Sequence, residues 1–300
     1  MEKSTAASSM NVEKVLSTKF PSYDVKLTNN EMILYALSIG FNQDPLNTDH
    51  FKFTYENDSD FQAVSTMAMI IAHRQSEMVM SIDGFPEFNP MMLLYGEENL
   101  EIFKPITADL NLRVEERIAD LADKGKMTAL TEESLIKNAE TGEVLVRVLR
   151  TLMIRGVGGY GYKGGVHAVK YPDIPKRAPD HIVESKSDAN QALLYRLNGD
   201  LNPLHVDPDM AALGGFDKPI IHGLCSSAFT GRVIYEKFCN GNPKALAKYS
   251  TRFTSHVFPG ETYVVEMWKE GNTVIFQTKT KERGLVAVKG FAEIRDLAKL

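Results

Sequence analysis

Three hundred residues, 43% hydrophobic and 24% charged, are enough for two ordinary domains and exclude a disordered or fibrous chain. A net charge of −5 argues against general nucleic-acid binding, and two cysteines, Cys225 and Cys239, build neither a disulfide framework nor a zinc site. No apolar run reaches the roughly eighteen residues of a membrane span, and the opening MEKSTAASSM lacks a secretory pattern, so the expected setting is the reducing cell interior.

In chain order, the stretch LYALSIGFNQDPLNTDH at 34–50 comes first, and it returns in altered form below. The apolar piece FQAVSTMAMIIAHRQ, 61–75, predicts a buried helix, and the methionine-rich stretch 78–92 reads as core or pocket wall. Strands are expected over roughly 93–155, ending in EVLVRVLRTLMIR at 143–155. A glycine-rich piece, GVGGYGYKGG, follows at once. Gly159, Gly161 and Gly164 spell G-x-G-x-x-G, yet the VHAVKYPDIP behind them cannot open the helix that a dinucleotide loop requires. Residues 156–185 therefore read as a connector between a first module, 1–155, and a second, 186–300.

The second module opens on an echo. LYRLNGDLNPLHVDP at 194–208 repeats the earlier stretch, matching Leu34, Tyr35 and Leu37 with Leu194, Tyr195 and Leu197, and Pro45-Leu46 with Pro203-Leu204. Two similar, fused domains follow from that spacing. On this alignment the first copy carries a two-residue insertion and has Asn47 where the second has His205, so any chemistry is expected in the second copy. Next, HGLCSSAFTGRVIYEKF at 222–238 predicts a helix buried nearly all round. Pro259-Gly260 marks a turn, and TYVVEMW, TVIFQTKTK and LVAVKGFAEI read as three consecutive antiparallel strands. A buried helix followed by long antiparallel strands is an α+β plan.

Asp200, Asn202 and His205 lie within six residues, and Pro203 and Pro208 help hold the segment out of a helix. A neutral imidazole takes a proton from water near neutrality, and a carboxyl group can hold the same water or return a proton, which suits adding or removing water. For Asp200 to act as the acid, burial must raise its pKa. Adding water beside a carbonyl also needs donors for the negative charge that develops on its oxygen, and Gly223 at the head of the buried helix offers backbone N–H groups without helical partners. His222 reads as a helix-start or packing histidine and Cys225 as an inert buried thiol.

The run YRLNGDLNPLHVDPDMAALGGFDKPIIHGLC resembles the signature of the MaoC-like R-specific 2-enoyl-CoA hydratases, in particular the hydratase 2 domain of the eukaryotic peroxisomal multifunctional enzyme of fatty-acid β-oxidation. The likeness extends through LLYGEENLEIFKPI and DKG to RFTSHVFPGETYVVEMWKEGN. It implies a double hot-dog fold, two repeats of a long helix wrapped by antiparallel sheet, with catalysis kept in the C-terminal repeat. It implies that Asp200 and His205 activate a water, that Asn202 helps fix it, and that the Gly223 N–H binds the thioester oxygen, with no metal and no cofactor beyond substrate CoA. Substrate contacts implied by it are Tyr95-Gly96, where the family has His-Gly, with Lys124, Pro203, Leu204 and Phe253.

The chain ends in Ala298-Lys299-Leu300, which resembles a peroxisomal address read by an import receptor. A homodimer acting on acyl-CoA thioesters, without nucleic acid or membrane span, is the expectation. A hot-dog acyl-CoA thioesterase and a non-catalytic acyl-CoA-binding protein are the alternatives.

Overall fold

The computed structural model describes residues 10–74 and 82–296. The chain opens with helix α1 (Val12–Leu16), edge strand β1 (Tyr23–Lys26) and helix α2 (Asn29–Ser38). Thr28 starts α2 with a capping box: its hydroxyl accepts the Glu31 N–H while the Glu31 carboxylate accepts the Thr28 N–H. A short helix α3 (Phe51–Thr54) leads to α4 (Met67–His73), buried from Met67 to Ala72. The apolar run at 61–75 is thus helical only from Met67, and residues 75–81, which include part of the methionine-rich stretch, lie outside the described residues. Four long strands follow: β2 (Leu93–Ile102), β3 (Asn111–Asp123), β4 (Met127–Asn138) and β5 (Val144–Arg155).

The second half repeats this order with β6 (His181–Lys186), α5 (Gln191–Tyr195), α6 (Pro208–Leu213) and α7 (Gly223–Phe238). Strands β7 (Leu246–Phe253), β8 (Thr262–Glu270), β9 (Thr273–Thr280) and β10 (Val286–Ile294) complete it. Strand β6 lies at the end of the stretch expected as connector, paired along β8 from His181↔Met267 to Lys186↔Thr262.

Among the described residues, the strands make one antiparallel sheet in the order β1-β3-β4-β5-β2-β7-β10-β9-β8-β6. From either edge the order is the same: a short edge strand, a three-strand meander, then the strand that meets its counterpart. That seam is β2 with β7, from Glu97↔Arg252 to Glu101↔Lys248. Helix α4 packs on the first half sheet and α7 on the second, and one apolar core runs through both. This is the double hot-dog plan. Gly231 lets α7 pass close to the head of α4, since a Cβ there would stand 2.9 Å from the Thr66 methyl.

A helix buried on all sides must satisfy its own polar groups. On α7, Ser226 bonds the Tyr263 hydroxyl, Thr230 bonds Thr278, and Arg232 reaches the Ile39 carbonyl, Ser185 and Glu236. The internal echo is also a contact. Tyr35 and Tyr195 meet in the core with ring centroids 6.2 Å apart, and the Asn198 amide donates to the Ser38 hydroxyl at 2.9 Å.

Behind β5 the glycine-rich loop opens no helix. Gly159 and Gly161 N–H groups donate to the Asp123 carboxylate at 3.0 and 2.6 Å, and Gly165 donates to Asp120 at 2.7 Å. Backbone donors that in another setting would cradle a phosphate hold the chain's own carboxylates.

Candidate active site

The segment after α5 runs through two single 3-10 turns, Arg196–Asn198 and Pro203–His205. Gly199 between them has φ 126°, a conformation that side-chain-bearing residues avoid. Asn202 caps the second turn, its Oδ1 accepting the Leu204 N–H at 3.0 Å, and Pro203 takes the first position, where a missing donor costs nothing. Asp200 Oδ1 accepts the Asn202 N–H at 3.2 Å. The same turn chemistry that shapes the segment therefore aims its functional groups.

The first half contains the same turn, Thr48–His50, capped by Asn47 through the Asp49 N–H. In structure Asn47 corresponds to Asn202 and His50 to His205. The expectation that Asn47 stands in for the histidine is corrected. Aligning on Pro-Leu misplaced the register because the asparagine cap, and not the proline, sets where each turn begins.

His205 is 8% exposed, and its Nδ1–H donates to the Ile220 carbonyl at 2.9 Å, which leaves the lone pair on Nε2. Burial holds its pKa below the ordinary imidazole value, although the Asp200 charge opposes this, so the ring is neutral at pH 7. His222 stacks on it, ring centroids 3.7 Å apart, and donates Nε2–H to the Asp200 backbone carbonyl at 3.1 Å. Burial, with the His205 ring beside it, lowers the His222 pKa to about 3.

The Asp200 carboxyl is pushed up by burial, but the imidazoles of His73, His222 and His205 outweigh that and hold it well below the usual carboxylate range. A proton-donating Asp200 required the reverse. Of the two roles left open for the carboxyl, the direction of this shift favours holding the water over returning a proton.

Gly223 opens α7 and is exposed, while Leu224 and Cys225 behind it are buried. His222 supplies no side-chain cap, so the first-turn N–H groups have no partner within the helix. The Phe253 ring covers Gly223, where a Cβ would meet it at 3.3 Å. Tyr95 stands across from Phe253 at 6.3 Å between ring centroids, and Gly96 occupies the bulge where β2 slips against β5. Glu97 and Arg252 then pair across the seam at 2.6 Å, locking the Phe253 strand to β2. Lys124 is exposed on the β3–β4 turn, at the same end of the sheet as Tyr95. Asn202 and Pro203 are exposed, and Leu204 is half-buried against Gly214.

Sequence reading missed His73. It ends α4, Nε2 facing Asp200 Oδ2 at 3.5 Å and Nδ1 bonded to the Tyr95 hydroxyl at 2.6 Å. The available signal was a lone titratable group closing an otherwise apolar helical run. Cys225 is fully buried, and burial pushes its thiol well above the usual value, which leaves it without nucleophilic character.

Among the described residues, Asp200, His205 and His222 bring donor atoms within 4.8 Å of one another. The set fits a resident metal poorly. Rings stacked at 27° keep their lone pairs in near-parallel planes, where a tetrahedral ion needs them to converge.

Comparison with known proteins follows the division into halves. Residues 25–156 match the model of the MFE-2 hydratase 2 N-terminal domain, and 170–290 match that of the MaoC like domain. A "Probable enoyl-CoA hydratase 2" of Dictyostelium discoideum is 40% identical, over 97% of this chain and 98% of that one. The chain belongs to the enoyl-CoA hydratase 2 family. Within that family, "Enoyl-CoA hydratase 2, peroxisomal" of Arabidopsis thaliana is 36% identical over 98% of each chain. The crystal structure of a MaoC-like dehydratase from Phytophthora capsici superposes with TM-score 0.87 at 33% identity, covering 96% of this chain and 98% of that one.

Proposed function

We propose that the protein is a hydro-lyase that adds water to trans-2-enoyl-CoA, giving (3R)-3-hydroxyacyl-CoA, and catalyses the reverse dehydration. The observation that carries this reading is a neutral histidine with an open Nε2, beside an ionised carboxylate, at the uncapped head of a buried helix. Water held between Asp200 and His205 gives a proton to His205 Nε2 as its oxygen bonds to C3. Electron density moves onto the thioester oxygen, where the Gly223 N–H stabilises it. The proton taken by His205 then goes to C2, and the histidine returns to its neutral state. One O–H bond and the C2–C3 π bond break while one C–O and one C–H bond form, so the addition balances without a change of overall oxidation level. Asn202 reaches this water through its amide nitrogen, its oxygen being engaged in the cap.

The first half, 1–155, supplies an acyl-CoA wall, with Tyr95 and Gly96 against the thioester and Lys124 at a CoA phosphate; from the second half Phe253 flanks the thioester and Pro203 and Leu204 shape the rim. The family's peroxisomal relatives support a place in peroxisomal β-oxidation. Import through Ala298-Lys299-Leu300, which lies outside the described residues, and a homodimeric state complete the reading. Loss of enoyl absorbance on mixing the purified protein with a trans-2-enoyl-CoA, without release of free CoA, tests the reaction. Release of CoA instead identifies a thioesterase. A chain that reaches peroxisomes without its last three residues overturns the import step.

A further inference from the structure

The hydratase reading leaves His73 without a role, although it stands against the carboxylate that holds the water. It belongs, with Tyr95, to the half from which no chemistry is expected. Tyr95 is half-buried, and desolvation of its hydroxyl together with Glu98, Glu132 and Asp200 keeps the phenol protonated against the pull of Arg150, whose guanidinium lies 5.5 Å over its ring. A protonated phenol 2.6 Å from His73 Nδ1 can donate or accept there, and with an acceptor-only carboxylate facing Nε2 the matched arrangement has the phenol donating to Nδ1. The histidine's own N–H is therefore on Nε2, and Nε2 faces Asp200 Oδ2 at 3.5 Å. The second carboxylate oxygen accepts the Asn202 N–H. One oxygen of Asp200 is thus oriented by its own turn and the other by the opposite half of the molecule.

We propose that His73, with its tautomer set by Tyr95, is a positioning residue for Asp200, so that the reacting centre is assembled from both halves of the chain. This rests on the hydratase reading for Asp200 and His205. A core histidine needs only satisfied nitrogens, whereas this one directs its N–H at the reacting carboxylate. The groups facing Asp200 are His73 from α4, His205 from the 3-10 turn and His222 from the head of α7. With His73 removed, burial is opposed by the last two alone, and the carboxyl pKa rises. The acid limb of hydration follows protonation of the base His205, so the shift of the Asp200 carboxyl is read directly, by its own titration.

The test uses the full chain as His73→Ala, His73→Gln, Tyr95→Phe and the Tyr95→Phe/His73→Ala double variant. Readouts are kcat/KM for a trans-2-enoyl-CoA across pH, thermal melting, and NMR titration of labelled aspartate without substrate. His73→Ala is expected to lose about tenfold or more in kcat and to raise the Asp200 midpoint in the aspartate titration by about one pH unit. His73→Gln keeps volume and an N–H donor and recovers part of kcat, while Tyr95→Phe costs less than His73→Ala and nothing further in its background. Additive Tyr95 and His73 effects overturn the proposal. If the parent shows no hydration, the functional reading fails on its own. The aspartate titration still decides the contact, and an Asp200 carboxyl that titrates alike with and without His73 overturns it.

Discussion

The two Asn-x-x-His turns use one frame for opposite ends. In the first half, His50 Nδ1 accepts the Asn42 N–H at 3.0 Å, so its proton is on Nε2, which faces Glu236 at 3.4 Å. Glu236 is itself paired with Arg232 at 2.6 Å, and the Asn47 amide lies against both ring nitrogens. In the second half, His205 puts its proton on Nδ1, into the Ile220 carbonyl, and keeps Nε2 open. Both rings are buried and both are lowered in pKa by burial, so burial does not separate them. The tautomer does. A backbone donor at Nδ1 makes a structural histidine, and a backbone acceptor there makes a base.

The sharpest way to break that comparison is to exchange the two histidines' fates by mutation. His205→Gln or Asp200→Asn is expected to lower kcat by about 10² to 10⁴, the range of general acid–base catalysis, with folding retained. His50→Gln should leave turnover unchanged and lower only the melting temperature, since its network ties the turn to α7. Comparable losses of turnover from both positions would mean that tautomer does not assign the role.

Next in size is the helix head. Gly223→Pro removes the N–H at the first helical position, where proline is tolerated, and should cost about 10² to 10³ in kcat, as loss of one oxyanion donor does. Gly223→Ala is the control. Its Cβ meets the Phe253 ring at 3.3 Å, tight enough to shift the ring slightly, but it keeps the donor. Equal losses in both variants would place the effect in packing against Phe253.

The second half was largely legible because its signals are local. Strands β8, β9 and β10 alternate with glycine turns between them, and α7 follows from an apolar run that starts at Gly223. Asp200 and His205 stood out because proline and asparagine chemistry fixes a short turn whatever lies around it. The edge strands were not legible. β1 is four residues long and β6 reads as polar linker, and both exist because β3 and β8 offer open edges to pair with. His73 was hidden for a related reason. Nothing near it in the chain tells that the tail of α4 meets the head of α7, so its meaning arises only when the halves pack. The His50 register was hidden by the matched Pro-Leu pair, which looked like the anchor of the turn and is not.

A pH series sharpens the same contrast through stability. His222 in the folded state has a pKa of about 3, well below the ordinary imidazole value near 6.5. Below about pH 6.5 the unfolded chain takes up a proton that the folded one refuses, so stability falls as pH drops from there towards 3. His222→Phe keeps a ring against His205 and removes this uptake. Denaturant midpoints for parent and variant should converge as the pH is lowered, and parallel curves would mean that the unfolded and folded histidines titrate alike.

The smallest expected effect separates binding from reaction across the halves. Lys124 is exposed on a turn of the first half and would act on a CoA phosphate as a point charge. Lys124→Ala should raise KM a few-fold and leave kcat as it was, because a contact equal in ground and transition states is uniform binding. The difference should shrink with added salt, since an exposed charge is screened over about 10 Å at 0.1 M. A fall in kcat instead would mean that the turn helps hold the Tyr95 end of the sheet in place, and then the first half's contribution would reach the reacting centre by two routes, through His73 and through the geometry of β2.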